Sequence, residues 1–163
     1  MSKSDGVAIY AAGCFWGVEY YFKKLPGVLK TEVGYCGGWY PNPSYEQVCE
    51  YDTGHIEAIR VVYDLEKINY EALTKYFFET HDFEQQNGQG PDIGEQYVSR
   101  IFCFDSDQEK IAQQIINQLE QKGYTVATEL LPVSVFWRAE EYHQNYYEKV
   151  GKTPYCHHYT KRF

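Results

Sequence analysis

The chain has 163 residues, of which 44% are hydrophobic and 23% are charged, and its formal net charge is −8. This length and composition favour one globular domain over residues 1–163 and exclude a disordered chain, a coiled coil and a fibrous repeat. The negative charge argues against nucleic acid or an anionic membrane as a partner, and the polar N-terminus without a long apolar run predicts a cytoplasmic protein.

Hydrophobic periodicity predicts alternating strands and helices in the first half of the chain. The predicted elements are a strand over 7–12 closed by Gly13, a helix from Phe15 to Leu25, a strand over 28–35, a loop over 36–54, a strand over 55–63, and a helix that Asn69 caps and that ends near His81. The apolar residues of the first helix fall on one face, and Pro26-Gly27 ends that helix.

The second half is predicted to be less regular. Its elements are a loop over 82–96, a strand over 97–104, a helix with a capping box of Ser106 and Glu109 that ends at Gly123, a hairpin-like region over 124–137, a helix over 139–150 and an irregular tail over 152–163. The long loops and the hairpin-like region argue against a doubly wound sheet. We therefore predict an α+β two-layer sandwich, in which a mixed or antiparallel sheet with a ferredoxin-like core packs against helices.

The five cysteines, at positions 14, 36, 49, 103 and 156, are the candidates for thiol chemistry. Their odd number and the lack of a Cys-x-x-Cys pair in the sequence argue against a disulfide framework, a zinc ribbon and a thioredoxin-like motif. A metal site at Cys156-His157-His158 is also disfavoured, because adjacent side chains of an extended segment point to opposite sides. Most of these cysteines are expected to be small buried hydrophobic residues.

Cys14 differs from the others because Gly13-Cys14-Phe15-Trp16-Gly17 joins a strand to a helix. Unpaired backbone N–H groups and the helix dipole at a helix N-terminus stabilise a thiolate. Trp16 lies about 100° around the helix from Phe15 and so leaves the core face, which indicates a pocket wall. A buried cysteine that only ends a strand is the alternative interpretation.

Two other classes of protein are compatible with these residues. A cysteine-nucleophile hydrolase would pair Cys14 with one of the five histidines. A non-catalytic module that binds sugar or peptide through aromatic side chains would use the 18% aromatic content.

Glu57 is the candidate acid. Its strand face is otherwise largely apolar, with Ile59 and Val61, and burial there would raise the pKa of the carboxyl group and keep a proton on it. A strand-end glutamate paired with a surface cation is the alternative.

Beyond these local patterns, the chain resembles the peptide methionine sulfoxide reductase A family from about residue 7 to residue 156. The matching segments are Gly-Cys-Phe-Trp-Gly at 13–17, Gly-Tyr-Cys-Gly-Gly at 34–38, the runs at 42–49 and 52–58, His81-Asp82, and the runs at 87–97 and 139–146. Phe83, Gly88 and Val98 depart from the common pattern of the family, and they leave the matching catalytic positions intact.

The resemblance implies a reaction and a set of site residues. Cys14 attacks the sulfur of methionine S-sulfoxide, free or in peptides and proteins, while Glu57 protonates its oxygen. The implied substrate-binding residues are Phe15, Trp16, Tyr45, Asp92 and Tyr97. No metal or organic cofactor is required.

The resemblance also implies how the enzyme is recycled. A second thiol condenses with the Cys14 sulfenic acid, and the family places this resolving cysteine in the tail, at Cys156. The unpatterned tail is also expected to have a mobile backbone that lets Cys156 reach Cys14, and Cys36, which has flexible neighbours, is the alternative. Thioredoxin would then reduce the disulfide. We expect a monomer that repairs oxidative damage.

Overall fold

The computed structural model describes residues 5–50, 53–155 and 157–163. Its elements in chain order are β1 (Asp5–Ala12), α1 (Phe15–Lys23), β2 (Val28–Cys36), α2 (Tyr45–Glu50), β3 (Ile56–Asp64), α3 (Tyr70–Glu79), β4 (Gly88–Gln89), β5 (Asp92–Ile93), β6 (Ser99–Cys103), α4 (Ser106–Gln121), β7 (Glu129–Pro132), β8 (Trp137–Arg138) and α5 (Tyr146–Val150). Two 3₁₀ helices cover Glu95–Tyr97 and Glu141–His143.

Six strands form one mixed sheet in the order β7-β6-β1-β3-β2-β8. The four central strands pair antiparallel, whereas β7 adds to β6 in parallel. The run β1-α1-β2-β3-α3-β6 with strand order β6-β1-β3-β2 is the ferredoxin-like arrangement. The predicted α+β fold with a mixed sheet packed against helices is therefore confirmed.

The helices α1, α3 and α4 cover one face of the sheet. Their apolar side chains, among them Phe22, Phe77 and Leu119, form one core cluster with alternate residues of the strands, such as Tyr10 and Ile59. The other face carries a smaller cluster around Ile9, Cys36, Ile56, Ala58 and Phe102, which packs partly against the segment over 131–136. Because strand residues alternate between faces, a side chain on this second face points away from α1.

Local sequence fixes the ends of the helices. The Asn69 side chain accepts a hydrogen bond from the Ala72 N–H at 2.8 Å and caps α3, as predicted. The capping box at Ser106 is wrong by one residue, because Asp105 is the cap of α4 and accepts from the Gln108 N–H at 2.9 Å. An aspartate with extended backbone immediately before the helix fills the cap position first, and Ser106 becomes the first helical residue.

Four further predictions of local structure need correction. The loop over 36–54 contains α2, and the loop over 82–96 contains the small hairpin of β4 and β5. The hairpin-like region over 124–137 is wrong, because β7 and β8 lie at opposite edges of the sheet. The predicted helix over 139–150 is a 3₁₀ turn followed by α5, since Asn145 adopts a left-handed conformation (φ 56°) between them.

The described part of the tail contains no helix or strand over 157–163, in agreement with the predicted irregular segment. None of the helices in the described residues is both long enough and apolar enough to cross a lipid bilayer.

Candidate active site

Cys14 lies in the tight connection between β1 and α1. Gly13 adopts a φ of 92°, which a side chain would disfavour, and this turn places Cys14 at the cap position of the helix. The Cys14 carbonyl accepts hydrogen bonds from the N–H groups of Gly17 and Val18 at 3.2 and 3.3 Å. The side chain is 8% exposed. The thiol is therefore held at a helix N-terminus in a nearly buried position, as the sequence predicts.

Glu57 lies on β3 and faces the start of α1. Its Oε1 atom accepts a hydrogen bond from the Phe15 N–H at 3.2 Å, so the carboxyl group is joined to the residue that follows Cys14. The side chain is 1% exposed, and Oε2 has no hydrogen-bond partner among the described residues. Burial raises the pKa of Glu57 well above the ordinary carboxyl range, and the negative charges of Cys14 and Asp92 raise it further.

The position of Glu57 follows from strand register. Glu57 is paired with Tyr35 of β2, and both side chains point toward α1, whereas their neighbours Ile56 and Cys36 point to the opposite face. The sequence argument that Glu57 shares an apolar face with Ile59 is confirmed, because Ile59 belongs to the core cluster under the helices. A surface ion pair, the alternative for Glu57, does not fit this burial.

Aromatic side chains form a wall beside Cys14 and Glu57. The Phe15 ring is buried against Tyr35 and His143, with ring centroids 5.7 and 5.2 Å away. Trp16 is half-buried and stacks on Tyr146, with centroids 3.7 Å apart. Its Nε1–H donates to His143 Nδ1 at 2.9 Å, which fixes the indole. Trp16 thus leaves the core stripe of α1, as predicted, and packs against His143 and Tyr146, whereas its place in a substrate pocket stays a prediction.

The segment over 139–146 carries part of this wall, and it is held to the edge strand β2. The Gln144 side-chain amide accepts from the Val33 N–H and donates to the carbonyls of Val33 and Ala139, all at 2.9–3.0 Å. The Glu140 carboxylate accepts from the Tyr35 hydroxyl at 2.9 Å and from the Tyr45 N–H at 3.1 Å.

Sequence reasoning missed four residues of this wall: Tyr35, Glu140, His143 and Tyr146. They fall in two of the segments that carry the family resemblance, 34–38 and 139–146, and that was the available signal. His143 is fully buried, and its Nε2 has no hydrogen-bond partner among the described residues.

Tyr45, Tyr97 and Asp92 come from three different elements, α2, the 3₁₀ helix over Glu95–Tyr97 and β5. Burial raises the pKa of Tyr45 and of Tyr97, and the charge of Glu57 raises both further. Cys14 and Asp92 also act on Tyr97, which places it within electrostatic range of all three charged groups. Each of these three predicted substrate-binding residues therefore interacts electrostatically with Glu57.

The remaining cysteines differ in their access to this site. Cys156 lies outside the described residues. Cys36 is completely buried on the face of the sheet that points away from Glu57, and burial raises the pKa of its thiol. Cys103 ends β6, and burial raises the pKa of its thiol to about 11. Cys49 is exposed on α2, four residues after Tyr45.

The described C-terminal residues are anchored to the body of the protein. The Tyr155 hydroxyl donates to the Asp92 carboxylate at 3.2 Å, and the buried His157 ring is 2.6 Å from the Ala12 carbonyl oxygen. Further along, the Thr160 N–H donates to the Glu79 carbonyl at 2.7 Å. The tail is irregular, as predicted, but these contacts do not fit the expectation of a loose backbone.

Among the residues that the structure describes, no three histidine, cysteine, aspartate or glutamate side chains are grouped to hold a metal ion. His157 is buried while His158 is exposed, so the two rings point in different directions.

A cysteine at a helix N-terminus, a buried carboxyl group and an aromatic wall define an enzyme of the cysteine-dependent class. Residues 6–163 match the family described as Peptide methionine sulfoxide reductase, and the chain belongs to this family.

Individual relatives agree with this family. The chain is 47% identical over 147 residues to the Peptide methionine sulfoxide reductase MsrA of Methanosarcina acetivorans, which covers 88% of this chain and 78% of that protein. The fold of the present chain is similar to that of Mxr1 from Saccharomyces cerevisiae, as seen in the crystal structure of its reduced form. The TM-score is 0.91 and the identity is 34%, over 98% of this chain and 94% of that chain. Mxr1 in complex with Trx2 matches with a TM-score of 0.65 and 25% identity, over 98% of this chain and 92% of that chain.

Proposed function

We propose that this protein reduces methionine S-sulfoxide, in proteins, in peptides or free, to methionine. The observation that carries the proposal is the state of Glu57. Because Oε1 accepts the Phe15 N–H, the proton of a neutral carboxyl group belongs on Oε2, the atom with no protein partner among the described residues. A sulfoxide oxygen is an acceptor that this proton would reach.

In the first step the Cys14 thiolate attacks the sulfoxide sulfur while Glu57 delivers its proton to the oxygen. Oxygen passes from the substrate sulfur to the cysteine, so one sulfoxide and one thiol become one methionine and one sulfenic acid. Glu57 needs a raised pKa for this role, since a carboxyl group that is ionised at neutral pH has no proton to give.

The substrate is held by the surrounding side chains. Phe15 and Trp16 supply the apolar wall for the methyl group, and the hydroxyls of Tyr45 and Tyr97 bind the sulfoxide oxygen. Their raised pKa values keep these hydroxyls protonated as donors. Asp92, on β5, also holds the substrate. Its negative charge acts on the Glu57 carboxyl group, in keeping with a place at the same site.

In the second step Cys156 resolves the sulfenic acid. The Cys14 S–O bond breaks, the S–S bond forms and one water leaves, so no outside oxidant is needed. Both sequence neighbours of Cys156 are anchored near the site, through Tyr155 to Asp92 and through His157 to Ala12. Cys36, the alternative, lies on the opposite face of the sheet, and a disulfide needs a Cα–Cα distance of about 4.4–6.8 Å.

Thioredoxin is the proposed reductant of the resulting disulfide. The similarity to Mxr1, which has been crystallised in complex with Trx2, supports this partner. The cytoplasmic location, the monomeric state and the role in repair of oxidative damage stay predictions from the sequence, and gel filtration would check the second of these.

The hydrolase alternative is not favoured, because the chain's relatives are methionine sulfoxide reductases and three of its described histidines bond other groups. His55 bonds the Gly38 N–H and the Tyr40 carbonyl, and His81 bonds the Phe77 carbonyl and the Ser99 hydroxyl. His143 accepts from Trp16.

The decisive experiment supplies the two separated sulfoxide epimers with dithiothreitol as reductant. We expect reduction of the S epimer only, no hydrolysis of a model ester, and no activity in Cys14→Ser. A protein mass after one turnover without reductant that is lower by two hydrogens would show the disulfide. Activity in folded Cys14→Ser, or equal use of the two epimers, would contradict the proposal.

A further inference from the structure

His157 is a buried imidazole in the irregular C-terminal segment, and the catalytic step does not use it. It is 1% exposed, whereas the adjacent His158 is exposed. Its Nε2 lies 2.6 Å from the Ala12 carbonyl oxygen, at the end of β1 and two residues before Cys14. Burial lowers the pKa of His157, so the ring is neutral and Nε2–H donates to that carbonyl. The tail therefore docks on the connection that presents the nucleophile.

The His157 ring occupies the space beside Gly17 of α1, where a larger residue would have its side chain. A Cβ atom added at Gly17 would lie 2.3 Å from His157 Nδ1, closer than real Cβ contacts, and 3.0 Å from Cε1, which is also tight. Gly17 is in the first turn of α1, where its φ places no demand for glycine, and glycine is unfavourable in helices. Its presence is explained by the space that the His157 ring occupies.

The backbone of the segment is held as well. The Tyr21 hydroxyl of α1 donates to the His157 carbonyl at 3.2 Å, and the Tyr155 hydroxyl donates to Asp92 on the other side. Residues 155 and 157 are thus both attached to the body of the protein, and each is one peptide bond from Cys156.

We propose that His157 is a positioning residue for recycling: it locks the C-terminal segment onto the Ala12–Gly17 connection so that the resolving thiol meets the Cys14 sulfenic acid. This inference rests on the proposed function, because it takes Cys156 as the resolver. The step it assists is the condensation of one sulfenic acid and one thiol to a disulfide and water, with no other reactant. Positioning of this kind makes an intramolecular step fast, and a displacement of about 1 Å can cost about 10²-fold.

The test separates methionine release from disulfide formation in one turnover without reductant. Methionine is measured after acid quenching, and the sulfenic acid is trapped with a dione reagent and counted by mass spectrometry. The variants are His157→Ala, which removes the ring, and Gly17→Ala, which leaves the ring intact and fills the space that it occupies. His158→Ala is the matched control, and His157→Gln keeps an N–H donor for the Ala12 carbonyl.

We expect disulfide formation to slow about 10- to 100-fold in His157→Ala and Gly17→Ala, while methionine release stays at the rate of His158→Ala. His157→Gln should recover part of the loss. If both variants form the disulfide as fast as His158→Ala, or if methionine release falls in parallel with it, His157 is only structural and the inference is wrong. Cys156→Ser distinguishes a failure of this inference from a failure of the proposed function. If this variant still forms an intramolecular disulfide, the assignment of Cys156 as the resolving cysteine is wrong.

Discussion

Replacement of Glu57 by glutamine isolates proton delivery from every other property of this side chain. The glutamine Oε1 can still accept the Phe15 N–H, which Glu57 Oε1 accepts at 3.2 Å. The amide nitrogen then occupies the place of Oε2, the atom with no partner among the described residues. It can donate a hydrogen bond to a sulfoxide oxygen but cannot transfer a proton. The variant therefore keeps the size and the polar contact and loses only the acid.

The expected loss is set by what a positioned acid contributes, which is about 10²- to 10⁴-fold in rate. At about 1.36 kcal/mol per tenfold, this is about 2.7 to 5.4 kcal/mol of transition-state stabilisation. Glu57→Ala should lose the same chemistry and also leave the buried Phe15 N–H without its acceptor, which costs about 1–3 kcal/mol of folding free energy. Urea denaturation should therefore separate the alanine variant from the glutamine variant, which stays near the wild type.

The pH dependence has a defined sign. Burial raises the pKa of Glu57, so the carboxyl group is protonated at low pH and loses its proton as the pH rises through that value. The rate of methionine release should fall along this limb, which lies above the ordinary carboxyl range, and Glu57→Gln should lack it. For stability, the buried neutral form is favoured at low pH, so unfolding should become easier as the pH rises through the same pKa.

The assay is single-turnover methionine release by rapid quenching, with enzyme in excess over methyl sulfoxide. Glu46→Gln, at an exposed glutamate of α2, makes the same replacement of a carboxyl group by an amide away from the buried site and serves as the control. A loss below about threefold in Glu57→Gln, far under the range for an acid, would refute the role in proton delivery. The same holds if the descending pH limb persists in that variant.

Three further predictions concern the substrate wall, the resolving cysteine and the cap of α4. Trp16→Ala removes the wall that stacks on Tyr146 and should weaken discrimination of a methyl from a bulkier alkyl sulfoxide by about 1–3 kcal/mol in kcat/KM; an equal loss for both substrates in an unfolded protein would make Trp16 a core residue. Cys156→Ser should release one methionine per enzyme, accumulate sulfenic acid and fail to cycle with thioredoxin, and a peptide map that links Cys14 to another cysteine would contradict this. Asp105→Ala should lower the free energy of unfolding by about 1 kcal/mol and Ser106→Ala should leave it nearly unchanged, as urea titration would show, because only Asp105 caps α4; the reverse order would contradict the assignment.

The sequence was informative where one physical signal dominated. The strand β1 and the first helix are marked by hydrophobic period and by Pro26-Gly27, so the place of Cys14 at the helix start was predictable. The face of Glu57 followed from strand alternation alone. Both conclusions need only local geometry.

The wrong hairpin prediction and the missed site residues depend on contacts between segments that are distant in the sequence. The strands β7 and β8 are two to four residues long, and their pairing with β6 and β2 is decided by tertiary packing, which a local pattern does not contain. His143 joins the aromatic wall through a hydrogen bond to Trp16, 127 residues earlier in the chain. A histidine in a polar segment carries no local sign of such a partner.

The two short outer strands cover part of the sheet edges that β6 and β2 would otherwise leave open. Without them, β6 and the nine-residue β2 would present open rows of backbone N–H and C=O groups, which template aggregation with other chains. The outer strand β7 ends at Pro132, which has no N–H to donate, and β8 spans only two residues and carries the charged Arg138. The short outer strands therefore leave few free backbone groups at these positions for an extended chain of another molecule to pair with.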